Sequence, residues 1–191
     1  MTHQSDQYYI EQTLKGNKHA YAYILRKYKD MVFSITLKFF KDREEAEDMT
    51  QEIFIKVYRA LSKYKGEAKF STWMYRIAYN ACLDKTRENK RYQFIQKSEN
   101  NTHEEGVDQA MVFKDIDQQD KKRIIEAALS TLSSNDQTLI MLYYYEELSL
   151  KEISKIMRLQ ENNIKVRLHR CRVKLADLLK GKEAILKHER L

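Results

Sequence analysis

Residues 149–175, SLKEISKIMRLQENNIKVRLHRCRVKL, hold the side chains whose chemistry is plainest. Ile164, Leu168, Cys171, Leu175 and Leu178 recur at helical spacing and predict one buried stripe. The face opposite carries Lys165, Val166, His169, Arg170 and Val173, flanked by Arg167 and Arg172. A guanidinium can bridge guanine O6 and N7, and a valine can touch a thymine methyl. The later cations, Arg172 and Lys174, fall where phosphates would lie. Ahead of this segment, Ser149 with Glu152 forms a capping box for a shorter helix that buries Ile153 and Ile156. A short helix, a tight turn and a basic second helix are how a helical protein enters the DNA major groove. Any one of these cations could be a solvated surface group, and His169 could be structural. The whole set behind a tight turn points to duplex DNA.

Two further patches exceed what a core requires. The predicted helix 42–61 has an outer face with Asp48, Gln51, Glu52 and the apolar Ile55, with Phe54 beside them. Carboxylates around an apolar side chain suit a basic partner surface with a hydrophobic pocket, although a merely solvated face fits equally. Residues 63–80 interleave Tyr64, Phe70, Trp73, Tyr75 and Tyr79 with Lys63, Lys65, Lys69 and Arg76. Aromatic rings plus cations make a stacking platform for unpaired bases. The alternative is that Trp73 and Tyr75 belong to the core, and Trp73 is expected to be partly core.

The elements that must position these patches are helices. The 191 residues include no proline and four glycines, so a sheet-rich fold with many tight turns is disfavoured. Ala20, Ile24, Tyr28, Met31, Ile35 and Phe39 predict an amphipathic helix over 17–40. Asp42 with Glu45 predicts a capping box for the next helix, which buries Ala46, Met49, Ile53, Val57 and Leu61 and stops near Lys63–Gly66. Ser71 can cap a third helix to about Arg87, with Met74, Ile77, Ala78 and Ala81 inward. Ile125, Leu129 and Leu132 lead to a capping box at Ser134–Gln137, followed by Leu139, Leu142 and Tyr143. Residues 96–120 differ, with seven acidic and two basic residues and poor periodicity, and read as an acidic tether with a helical turn around Val107–Phe113. The expectation is an all-α chain with two small helical domains, 10–92 and 121–182, joined by a flexible acidic linker, 93–120.

The formal net charge of +7 suggests a polyanionic partner. No apolar run approaches a membrane span, and the N-terminus lacks the basic-then-apolar order of a signal peptide. Cys82 and Cys171 show no metal spacing and sit in apolar helical patterns, as reduced buried thiols would. Neither a metal nor a cofactor is expected. The five histidines show no HExxH spacing, and there is no glycine-rich phosphate loop or distinguishable carboxylate pair, so no catalytic residue is assigned. A cytoplasmic protein is expected.

Three strings, in order, carry a resemblance: DREEAEDMTQEIFIKVYRAL (42–61), FSTWMYRIAYNACLD (70–84) and ALSTLSSNDQTLIMLYYYEELSLKEISKIMRLQENNIKVRLHRCRVKL (128–175). Together they resemble the extracytoplasmic-function (group 4) sigma factors of the sigma-70 family over about residues 10–182. That resemblance implies a subunit that binds core RNA polymerase and directs initiation by reading a −35 duplex and a −10 single strand. The first domain would be sigma region 2 and the second the region 4 helix-turn-helix. Polymerase binding would fall to Asp48, Gln51, Glu52, Phe54 and Ile55, docking on the β′ coiled coil, with the β flap as a second contact. The −10 strand would meet Lys63, Tyr64, Lys65, Phe70, Ser71, Trp73, Arg76 and Asn80, which open the duplex and hold a flipped base. Flipping costs a few kcal/mol, which stacking and cation contacts can offset. The −35 duplex would meet Arg158, Asn163, Lys165, Val166, Arg167, His169, Arg170, Arg172 and Lys174. The acidic linker would pass through the polymerase's RNA path. An anti-sigma factor is a further implied partner, able to clamp the two domains or to hold the chain at a membrane.

The chain departs from the family pattern in the turn. Arg158 and Gln160 stand where Gly and Ser are common; if Arg158 takes positive φ, it bears a strain of roughly 1 kcal/mol. Gln160 is a weaker cap than Ser. Asn162-Asn163 replace a common Gly-Thr, and Val166 replaces a Ser on the reading face, so the −35 sequence cannot be borrowed from a relative. No additional C-terminal sensing domain is expected. A free-standing helix-turn-helix regulator would explain 149–175 but leave 42–84 without purpose. A basic protein of membrane or RNA surfaces would not produce the three ordered strings.

Overall fold

The structure, a computed structural model, describes residues 5–99 and 118–180, with side chains described over 5–91 and 123–180. Regular structure among them is entirely helical. Four helices come first: α1 (Asp6–Leu14), α2 (Lys18–Phe39), α3 (Arg43–Ala60) and α4 (Phe70–Glu99), with a 3-10 turn at Leu61–Lys63. The second group is α5 (Gln118–Ser130), α6 (Ser134–Ile140), a π-helical turn at Met141–Tyr145, α7 (Leu150–Met157) and α8 (Glu161–Leu179). Most of the segment read as an acidic tether, including Val107–Phe113, lies outside the described residues.

Helix α2 starts where Asn17 accepts from the His19 and Ala20 amides at 3.0 and 3.3 Å. It buries Ala20, Ile24, Tyr28, Val32 and Ile35. Helix α3 starts at Asp42, which accepts from the Glu45 amide at 3.0 Å. The predicted box is one-sided, because the Glu45 carboxylate instead accepts from Asn89 of α4 at 3.2 Å. Ala46, Met49, Ile53 and Val57 are buried as their spacing predicts. Helix α1 has no counterpart in the sequence reading. It is tied down by Asp6, which accepts from Lys27 at 2.5 Å and from the Tyr28 hydroxyl at 2.6 Å, and by Tyr9 stacked on Tyr23.

Other boundaries also move. Ser71 is the second residue of α4 and so does not cap it, and α4 continues to Glu99 rather than Arg87. Nothing in KTRENKRYQFIQKSE breaks a helix, and Lys85–Glu88 and Arg87–Asp84 pair along its first turns. Ser133, one residue before the predicted position, caps α6 by accepting from the Asp136 amide at 3.2 Å. The Ser149–Glu152 box forms in both directions. Arg158 does take the left-handed conformation, at φ 55° and ψ 43°, and Gln160 makes no side-chain cap.

The second group packs around Leu139, Leu142, Ile153, Ile156, Ile164 and Leu168. Leu178, expected inside, is 40% exposed, and Ile125 is 41% exposed. The two helical groups also touch directly, α4 lying against α7 and α2 against α6. No helix among the described residues is long and apolar enough to cross a membrane.

Cys82 and Cys171 are both buried free thiols. Burial pushes the Cys82 thiol up to about 12, far from the thiolate form that reacts. Neither is expected to react with a disulfide-exchange reagent in the native protein, and both should react after denaturation. Titration of a native thiol at the rate of free cysteine would contradict this core.

Candidate functional site

The outer face of α3 is accessible. Asp48, Gln51 and Glu52 are exposed, Ile55 is 51% exposed and Tyr58 50%. Phe54 is not part of it. Its ring is buried in the core, and its carbonyl accepts from Tyr21, so its expected place on this face is corrected. Tyr58, a turn after Phe54, occupies the exposed aromatic position instead, edge-on to Tyr21.

The 3-10 turn, the following loop and the start of α4 form a cleft of about 300 Å³ lined by Lys63, Tyr64, Lys65, Trp73 and Arg76. Tyr64 and Phe70 lie 5.4 and 5.5 Å from the Trp73 ring, and the Tyr64 hydroxyl donates to the Ala68 carbonyl at 2.7 Å. That bond and Gly66, at φ 74°, shape the loop that presents the cations. Trp73 and Phe70 are nearly fully buried, while Lys63, Lys65 and Arg76 remain exposed. Ser71 is half-buried, and Asn80 donates to the Arg76 carbonyl, fixing the end of the row. Two lining residues the sequence reading missed, Lys155 and Ile156, come from α7. Nothing in the local pattern of 63–80 could reveal them.

On α8 the predicted reading face divides. Asn163, Lys165, Val166, His169 and Arg170 are exposed and bind no described side chain. Arg167 instead spans to α6, its Nε and Nη2 lying 3.1 and 2.9 Å from Asp136 Oδ1. Arg172 donates to the Tyr144 hydroxyl at 2.6 Å and stacks on Tyr143 and Tyr144. Lys174 donates to the Thr131 carbonyl at 2.6 Å, closing α8 onto the end of α5. Arg158 projects from the turn and is exposed.

A further surface was not read from the sequence. Ile125, Leu129, Ile140, Tyr144, Tyr145 and Leu175 line an apolar groove between α5, the π turn and α8, with Arg172 at its rim. The π turn throws Tyr144 and Tyr145 outward, 48% and 69% exposed, where a regular helix would have rotated one inward. Among the described residues no cluster of side chains could hold a metal ion.

An all-helical pair of domains, one with a basic helix-turn-helix and the other with an aromatic-basic cleft beside an acidic-apolar face, defines a promoter-reading transcription protein. Residues 24–92 match the family described as sigma-70 region 2, and residues 122–175 that described as sigma-70, region 4. The chain belongs to the extracytoplasmic-function sigma factors of the sigma-70 family, and so directs promoter-specific transcription initiation. It is 31% identical over 177 residues to the ECF RNA polymerase sigma factor SigW of Bacillus subtilis, covering 90% of this chain and 95% of that one. It is 30% identical over 185 residues to the RNA polymerase sigma-H factor of Pseudomonas aeruginosa, covering 90% and 92%. Its fold is similar to that of CnrH in complex with the cytosolic domain of CnrY, at TM-score 0.63 and 18% identity over 93% of this chain and 99% of that one. The sigma factor RpoE in complex with the anti-sigma factor NepR from Bartonella quintana also aligns at 0.63, with 22% identity over 83% and 96%.

Proposed function

We propose that the three surfaces divide the work of initiation. The α3 face, through Asp48, Gln51, Glu52 and Ile55, docks on the β′ coiled coil of core polymerase. The cleft of Lys63, Tyr64, Lys65, Trp73 and Arg76 receives an unpaired −10 base, stacked against aromatics and neutralised by cations. Lys165, Val166, His169 and Arg170 read the −35 duplex, while Arg167, Arg172 and Lys174 chiefly build the reader. The groove of Tyr144 and Tyr145 takes an apolar segment of the β flap, since exposed aromatics beside an arginine are what protein interfaces favour. The chain supplies no catalytic group; bond formation belongs to the polymerase. It works in the cytoplasm, where an anti-sigma factor is a fitting partner.

The observation that carries this reading is the division on α8. Lys165, His169 and Arg170 bind no described side chain, whereas Arg167, Arg172 and Lys174 of the same helix are held by Asp136, Tyr144 and the Thr131 carbonyl. Run-off transcription with core polymerase on a promoter library is expected to yield transcripts from a subset sharing a −35 and a −10 motif. Failure to bind core, or to start at any promoter, would overturn it.

A further inference from the structure

Two valines on α8 point into solvent. Val166 is 49% exposed and Val173 48%. Their surroundings differ. Within one turn on either side, Val166 meets Asn162, Asn163, His169 and Arg170, all exposed and none bonded to a described group. It is thus the lone apolar side chain in a polar patch, on a helix fixed from beneath by the buried Ile164 and Leu168. Val173 follows seven residues later, about 10 Å along the axis at about 1.5 Å per residue. One turn beyond it stands Asp177, whose carboxylate disfavours the approach of a phosphate backbone.

We infer that Val166 reads the C5 methyl of one thymine in the −35 duplex, and that this contact fixes a T·A pair in the sequence the chain selects. This rests on the assignment of the exposed α8 face to the −35 duplex, and goes beyond it by naming the group read. Valine has no donor or acceptor. The thymine methyl is the one apolar group that base-pair edges present in the major groove. Set against adenine N6, cytosine N4 or guanine O6, Val166 would strip water from a polar edge and give no bond in return. A hydroxyl at this position could donate or accept and would tolerate several bases, so the valine narrows the choice. Its χ1 is nearly fixed within a helix, so its methyls are set before DNA arrives and little rotamer freedom is lost on binding.

The neighbours set the register. Asn163 lies three residues before Val166 and Arg170 four after, on one stripe. The rises are about 4.5 and 6 Å, between one and two base steps of about 3.4 Å. Arg170 suits guanine and Asn163 suits adenine. The thymine should therefore lie within two pairs of the guanine that Arg170 reads. Val166 is the sixth residue of α8, in the part of a recognition helix that meets base edges, and Val173 is the thirteenth, beyond that part. One exposed valine reads DNA and the other does not.

The test uses holoenzyme formed from the full chain and core polymerase, on a promoter selected from the library. Each thymine of both −35 strands is replaced in turn by deoxyuridine, which keeps every hydrogen-bonding group and removes only the methyl. One position should weaken promoter binding by about threefold to fivefold, the worth of one buried methyl group. Val166→Ala should weaken binding of the thymine promoter by a similar factor, and should bind the thymine and deoxyuridine promoters equally. Val173→Ala, at an equally exposed site, should keep the full deoxyuridine penalty. Arg170→Ala should keep it too, and relax preference at a different pair, one or two steps away. Alanine favours helix, so neither valine replacement threatens the fold, and a circular-dichroism melt checks it. No deoxyuridine-sensitive position, a penalty that survives Val166→Ala, or one lost in Val173→Ala each overturns the inference. Selection of no promoter fails the −35 assignment of α8 itself, and this inference with it.

Discussion

Reversing Asp48→Arg and Glu52→Arg together is expected to lower affinity for core polymerase by about a hundredfold, with the melting temperature nearly unchanged. Both carboxylates are exposed, and neither pairs with a described cation. They sit in a helix whose first half also carries Glu44, Glu45 and Glu47, of which, among the described residues, only the last is ion-paired, to Arg43 at 2.8 Å. Added arginines would relieve repulsion within α3 rather than break a stabilising contact. The buried residues of α3 lie on the other side, so the fold has no stake in the change. The loss should therefore appear in binding alone. It comes from like charges meeting a basic partner surface, and it should shrink as salt screens them. Ile55→Ala should cost about tenfold and show little salt dependence, because it removes an apolar anchor. Fluorescence anisotropy of labelled chain against core at two ionic strengths separates the two, and a circular-dichroism melt checks the fold. Unchanged core affinity for the double reversal would move the docking site off α3.

What the sequence disclosed and what it withheld divide along one physical line. Period and capping chemistry act over a turn or two of helix. They placed α2, α3 and α7 and the Ser149–Glu152 box. Contacts made by long side chains across elements leave no local trace. Phe54 lies one position from Ile55, and only packing tells which points outward. The pairing of Arg167 with Asp136 crosses from α8 to α6, and in the sequence Arg167 is one cation in a basic run. Helix α1 escaped because its apolar residues are sparse and it is held through Asp6 and Tyr9. The π turn escaped because one inserted residue shifts which tyrosines face out without altering composition. The mutual packing of the domains was beyond reach for the same reason. Tyr79 and Asn135 meet across a linker whose length sets no orientation.

Arg167 and Arg170, three residues apart on α8, are expected to respond in opposite ways to replacement by alanine. Arg170 is exposed and bonds no described group, so Arg170→Ala should leave the melting temperature unchanged. It should weaken −35 binding by about tenfold to a hundredfold, the range of one good base contact, and relax preference at one base pair. Arg167 is two-thirds covered, with two nitrogens on one oxygen of Asp136, whose other oxygen accepts from the Ser133 hydroxyl that caps α6. Arg167→Ala leaves a largely covered carboxylate without its cation beside the buried Cys171 and Tyr79. A lost partner of this kind costs about 1–3 kcal/mol. In a domain of this size that lowers the melting temperature by about 4–8 °C per kcal/mol. DNA binding measured well below the transition should then fall little, and without a change in base preference. Arg167→Lys should recover only part of the stability, because an ammonium cannot reproduce the planar fork. The pair of variants, followed by thermal melts and by holoenzyme footprinting on base-substituted −35 duplexes, separates building the reader from reading. If Arg167→Ala kept full stability but lost preference at one base pair, Arg167 would be a reading residue and its bond to Asp136 would break on DNA.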